Sequence, residues 1–164
     1  MINIRTATYE DLGSIIEIYN QAINSKFETA ETTEIKALDR TEWFLNHKPE
    51  TYPIFVYEKQ GKVLGWISFS PYRQGREALK FTIEISYYVH SGFKRQGIGS
   101  KLIEYALRAG KEMGYKTFFA IILDKNESSI NLLYKFDFKK WGHLPNIADF
   151  NGEECGHIYL GYKL

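Results

Sequence analysis

The sequence predicts a mixed α/β layer fold built as a single domain over residues 1–164. Three observations carry this expectation. Short apolar runs with strand-like alternation recur along the chain. Two longer segments repeat apolar residues at helical spacing. No internal repeat, low-complexity tract or linker breaks the order of strand, helices, three strands, helix, strand, helix and two strands.

Each element has a local reason. Ile2 and Ile4 alternate with polar neighbours as a short strand. Thr8, with Asp11 three residues on, caps a helix whose apolar face is Leu12, Ile15, Ile16, Tyr19, Ala22 and Ile23. Residues 24–35 are polar and irregular, a surface loop. Asp39 is expected to cap a second helix that turns Trp43 and Phe44 inward before Pro49 ends it. Residues 54–57 and 63–69 read as strands joined by a tight turn at Gln60-Gly61. Residues 81–89 form the fourth strand. Ile98, Leu102, Ile103, Ala106 and Leu107 give the next helix its apolar side, and Gly114 closes it. Residues 117–123 form an apolar strand, 128–135 a short helix, and 136–141 and 158–164 the last strands.

Composition narrows the function. A net charge of +1 with interspersed signs provides no broad field for nucleic acid or a membrane surface. The single cysteine, Cys155, excludes an intrachain disulfide. With no long apolar run and no signal-type apolar block after Met1, a cytoplasmic location is expected. The four histidines stand at no metal-ligand spacing, so no metal site is expected.

The segment from Tyr87 to Leu102 is the most informative. A strand runs into a basic glycine turn and then into a helix, an arrangement that offers backbone N–H groups to a phosphate or diphosphate. Gly97 and Gly99 leave those amides uncovered, and Lys94, Arg95 and Lys101 add positive charge. Ile98-Gly99 stands where a P-loop needs Lys and Ser/Thr, and Leu102 occupies the third glycine position of a dinucleotide fingerprint. What remains is Lys94-Arg95-Gln96-Gly97-Ile98-Gly99, a Q/R-x-x-G-x-G/A pattern with Lys at its first position. It resembles the pyrophosphate loop of the GNAT acyl-CoA N-acyltransferase superfamily. Residues 81–89, FTIEISYYV, are similar to the T-V-E-x-S-V-Y-V strand of its phosphinothricin/methionine-sulfoximine acetyltransferase subfamily, and 126–132, NESSINL, to its N-x-x-S-I-x-L segment.

The resemblance implies a mostly antiparallel sheet with helices on both faces, splayed between its fourth and fifth strands to admit the cofactor. It implies acetyl-CoA as donor, held by Tyr87, Tyr88 and Val89 where the strand opens, by Lys94, Arg95, Gln96, Gly97, Ile98, Gly99 and Ser100 at the loop, and by Asn126 and Lys135. A backbone N–H near Tyr88 or Val89 would hold the oxyanion.

The acceptor would be a small-molecule amine, such as an amino acid or an analogue of the phosphinothricin kind. Glu84 matches the glutamate of T-V-E and shares a strand face with Thr82 and Ser86, so it is the expected general base, with Thr82 beside it. Arg73, ahead of that strand, suits a substrate carboxylate or phosphinate. Leu133 stands at the subfamily's acid position, which leaves Tyr134, one residue on, as the expected proton donor. Residues 148–157 correspond to the substrate loop but replace its Lys by Asp149 and lack its Trp. A coenzyme-A-binding module without activity, and a protein or peptide amine as acceptor, stand as the competing readings. Related enzymes are often dimers, which leaves a homodimer open.

Overall fold

The computed structural model describes residues 2–164. One seven-stranded sheet runs through them in the order β1-β2-β3-β4-β5-β7-β6. The strands are β1 (Ile2–Thr6), β2 (Ile54–Lys59), β3 (Lys62–Pro71), β4 (Thr82–Val89), β5 (Thr117–Leu123), β6 (Lys139–Phe150) and β7 (Glu153–Lys163). The helices are α1 (Leu12–Asn24), α2 (Thr41–Asn46), α3 (Ile98–Glu112) and α4 (Glu127–Lys135). All neighbouring strands are antiparallel except β4 and β5.

Strand alternation sorts the core into two layers. Phe55, Tyr57, Ile67, Phe69, Ile83 and Ile85 face α3 and α4, where Leu102, Ile103, Ala106 and Leu133 meet them. Ile54, Val56, Val63 and Trp66 face the other way, onto Leu12, Ile15, Ile16 and Ile18 of α1. The central strands bury both faces, which is why β2 and β3 read as unbroken apolar runs.

The start of α1 follows expectation. Thr8 and Asp11 close a capping box around a short 3₁₀ turn, and Asp11 also takes two hydrogen bonds from the Arg5 guanidinium at 2.7 and 3.0 Å. Gln60 and Gly61 both have positive φ and join β2 to β3 in a two-residue turn.

Three expectations need correction. Asp39 does not cap a helix: it lies inside a 3₁₀ turn, Ala37–Arg40, and α2 begins only at Thr41. Trp43 and Phe44 nonetheless pack against the α1 layer. Phe136 caps α4 instead of opening a strand. Residues 148–157 are not a loop but the closed end of a long β6–β7 hairpin, turned at Asn151-Gly152 with both φ positive.

Asp137, just past α4, holds φ 62°. Carboxamides and carboxylates tolerate this left-handed region better than other side chains, but glycine has no Cβ to strain. Asp137→Gly is expected to stabilise the fold by about 1 kcal/mol, read as a higher midpoint in urea denaturation.

Candidate active site

Parallel pairing between β4 and β5 covers only Thr82↔Thr117, Ile83↔Phe118 and Glu84↔Phe119. Beyond Glu84 the strands diverge, while β4 stays paired to β3 as far as Val89. The fork opens into a cleft of about 890 Å³. Ile85 to Val89 form one wall, Ile121 and Ile122 the other, and α4 contributes Ser129 and Leu132.

The α3 N-terminus closes the cleft's outer end. Gly97, at φ 78°, serves as N-cap, and no side chain caps the helix. The amides of Ile98, Gly99 and Ser100 therefore keep no partner within the helix and stand at the cleft surface. Lys94, Arg95 and Lys135 line the same end. Arg95 itself has φ 61°, so two left-handed residues bend the chain around this point. Lys94 is ion-paired with Glu28 of the 25–36 loop, and Glu28 also lines the cleft.

A second, smaller cavity of about 130 Å³ lies on the α1/α2 side of the sheet. Tyr19, Trp43, Trp66 and Tyr88 give it aromatic walls; Arg40, Ser68 and Ser70 add polar ones. The Tyr19 and Tyr88 rings meet edge-on at 5.0 Å, and the Tyr19 hydroxyl is hydrogen-bonded to Thr29 at 2.8 Å. Ser86 and Tyr88 line both cavities, so the two spaces meet at β4. Glu84 sits two residues below Ser86, at the vertex of the fork. Burial raises its carboxyl above the ordinary value.

The Acetyltransferase (GNAT) family profile matches residues 14–138. The chain belongs to the GNAT acetyltransferase family. YwnH of Bacillus subtilis is 36% identical over 99% of both chains. The L-methionine sulfoximine/L-methionine sulfone acetyltransferase of Pseudomonas aeruginosa is 30% identical over 99% of this chain and 94% of its own. Among solved structures, an N-acetyltransferase from Staphylococcus aureus Mu50 superposes with TM-score 0.93 at 34% identity, covering 99% of this chain and 98% of its own. A phosphinothricin acetyltransferase from Sinorhizobium meliloti, solved in complex with acetyl-CoA, gives TM-score 0.92 at 26% identity over 99% and 88%.

Within this acetyltransferase the expected site residues divide. Tyr87, Tyr88, Val89, Lys94, Arg95, Gly97, Ile98, Gly99, Ser100, Asn126 and Lys135 all line the large cleft. Asn126 also caps α4, its Oδ1 accepting from Ser129 N at 3.2 Å. Gln96 lies exposed in the turn and lines neither cavity. Lys101 turns away from the cleft, toward the Tyr57 ring.

On the acceptor side, Thr82 lies in the paired part of the fork, outside both cavities. Arg73 is exposed beyond the end of β3, its guanidinium 6.0 Å from the Tyr72 ring centroid, and also outside both. Arg40 is the arginine that reaches the smaller cavity, held to Glu31 at 3.1 Å. Only its place in the fold identifies it, because nothing in its sequence context sets it apart from other surface arginines.

Tyr134 is 43% exposed and lines neither cavity. Leu133, its neighbour, is fully buried in the core. The phenol that reaches the cleft between β4 and α4 is that of Tyr87, donating to the Ser129 carbonyl at 3.4 Å. Burial raises its pKa well above the ordinary tyrosine value, which keeps it protonated. The signal was present in the sequence: Tyr87 stands where the resembling strand has Val. No group of three or more His, Cys, Asp or Glu gathers among the described residues, and none of their helices is long and apolar enough to cross a membrane.

Proposed function

We propose that this GNAT acetyltransferase moves the acetyl group of acetyl-CoA directly onto the amine of a small molecule, with Glu84 as general base. The observation that carries the reading is the meeting of two cavities at Ser86 and Tyr88, with Glu84 at the adjoining vertex. The long cleft suits the coenzyme. Its diphosphate lies on the amides around Gly97 to Ser100, where a helix N-terminus and the side chains of Arg95 and Lys135 favour negative charge. Its pantetheine extends along the unpaired edge of β4 as an added strand, amide to amide. The acceptor enters from the aromatic cavity on the other face of the sheet.

An alkylammonium is not nucleophilic, and its proton must leave before the nitrogen attacks. Glu84 takes that proton, its raised pKa bringing it closer to the amine. A β4 N–H near Tyr88 or Val89 faces the carbonyl oxygen as it becomes an oxyanion. Tyr87 protonates the departing thiolate in place of Tyr134, and its phenolate regains the second proton that the acceptor nitrogen loses on becoming an amide. Tyr87→Phe is expected to lower kcat about tenfold with little change in coenzyme affinity, whereas Tyr134→Phe keeps wild-type kcat. Steady-state rates at saturating acetyl-CoA check both, and an unchanged rate in Tyr87→Phe removes the phenol from the mechanism.

The acceptor is an amino acid or a close analogue, a reading supported by the names of the relatives and by the guanidinium of Arg40 in the cavity wall. Thiol release from acetyl-CoA, monitored against a panel including methionine sulfoximine, phosphinothricin, free amino acids and peptides, tests this. Release with carboxylate-bearing small amines supports the reading. Release with peptides alone, or coenzyme binding with no release, overturns it.

A further inference from the structure

Acetyl transfer has a fixed proton balance. The acceptor ammonium carries three hydrogens on nitrogen and the amide product carries one. One of the two lost protons ends on the coenzyme's sulfur, since a simple thiol near pKa 8.5 is mostly protonated at neutral pH. The other must reach bulk water on every turnover. Glu84, half-buried at the vertex of the fork, has to hand it on.

The β3–β4 ladder pairs Glu84 with Ser70. Directly opposed residues project from the same face of the sheet, with Cβ atoms about 5 Å apart. Ser70 lines the acceptor cavity, and its Oγ lies 3.4 Å from Nε2 of His47. Nδ1 of His47 is 2.8 Å from the Trp43 carbonyl. A carbonyl only accepts, so Nδ1 carries the hydrogen in the neutral ring, and Nε2 turns a lone pair to the serine hydroxyl. His47 also lines a separate open groove of about 310 Å³ on the outer surface, beside Phe44, Lys48, Glu50 and Ile54. The imidazole thus stands between the acceptor cavity's serine and solvent.

We propose that Ser70 and His47 form the exit for the proton that Glu84 removes from the acceptor amine. The proposal rests on the reading of Glu84 as base. The amine N–H bond breaks as the Glu84 O–H bond forms. That proton then passes to Ser70 Oγ while the serine's own proton passes to Nε2 of His47. The resulting imidazolium gives up its Nε2 proton to water entering from the groove, which restores the neutral ring with its hydrogen on Nδ1.

The charged groups around this ring are few. Lys48 and Glu50 lie on its own segment in the groove, Glu84 lies across Ser70, and Arg40 lines the acceptor cavity. The end of β1 and the residue after it bring only Thr6 and Ala7, and β2 only Ile54. Burial holds the imidazole below its ordinary pKa, so it is neutral and able to accept at pH 7.

His47 is a positioning residue in this scheme, since it acts through Ser70, and its bond to Trp43 could alone give it a structural role at the end of α2. His47→Asn separates the two, because an amide can still donate to the Trp43 carbonyl but cannot take up a proton. The expected result is a kcat about tenfold lower at pH 7, with unchanged KM for acetyl-CoA and a melting temperature near wild type. Ser70→Ala is expected to match it, and it carries the test should the asparagine variant unfold.

In His47→Ala, added imidazoles should restore turnover in order of their basicity, while thiazole, of the same shape and nearly non-basic, should not. Wild-type kcat and pH profile in both His47→Asn and Ser70→Ala overturn the proposal, and so does rescue by thiazole equal to that by imidazole. Glu84→Gln, assayed alongside, tells the failures apart. If it is inactive while the other two variants are normal, the exit is refuted and the base stands. If it is fully active, the base itself is refuted.

Discussion

Glu84→Gln is expected to lower kcat by roughly 10²–10³-fold, with acetyl-CoA affinity unchanged. Glutamine keeps the shape of the side chain and its place opposite Ser70, so the fork and both cavities persist. What it cannot do is accept a proton from an ammonium. The pH dependence gives a sharper signature than the rate. Burial raises the Glu84 carboxyl above its ordinary value, so its ionised, active form appears at higher pH than for an exposed carboxylate. In the wild-type enzyme kcat/KM should therefore fall on the acid side through that raised pKa. In Glu84→Gln that limb should vanish, leaving the slope set by ionisation of the free amine. A glutamine variant with the wild-type acid limb would show that another group titrates there.

Gly97→Val should act on the donor side alone. At φ 78° a β-branched residue is strained by about 1–2 kcal/mol. A Cβ on Gly97 would meet no protein atom within 4 Å, so crowding inside the fold is not the difficulty. The chain can relieve the strain only by rotating out of the left-handed region, and that re-aims the amides of Ile98 and Gly99. Each lost hydrogen bond to a charged phosphate is worth about 1.5–3 kcal/mol. The dissociation constant for coenzyme A should rise about 10- to 100-fold, with kcat at saturation nearly unchanged. Titration calorimetry with coenzyme A measures this directly. An unaltered affinity would place the diphosphate elsewhere.

The layer order was legible because apolar spacing differs between strands and helices, and the glycine loop because only a few residue types allow that turn. The strand face that carries Glu84, shared with Thr82 and Ser86, was legible through alternation. The divergence of β4 and β5 was expected from the family resemblance and not from periodicity, since β4 alternates and β5 is apolar from Phe118 on whether or not the two are paired. The ladder bears it out, stopping at Glu84↔Phe119.

The β6–β7 hairpin was misread although Asn151-Gly152 is a strong two-residue turn signal. Its flanks carry Asp149, Glu153 and Glu154, and mostly exposed strand ends lack the alternation that burial enforces. Proton donation was expected of Tyr134 because Leu133 stands at the aligned acid position, and the structure leaves Tyr134 outside both cavities. The phenol in the cleft instead comes from the facing strand, a contact between residues 42 apart in sequence that no local pattern encodes. The walls of the smaller cavity, drawn from α1, the 37–40 turn, α2, β3 and β4, were hidden for the same reason.

An unpaired strand edge is normally an aggregation hazard, because its bare amides and carbonyls can template another chain. Here the exposed edge of β4 is recessed beneath α4 and bracketed by β5 and the α3 turn. A slot walled in by these elements favours one slender, extended molecule over a second sheet. The geometry that makes the edge available to a linear ligand therefore also shields it from misassociation.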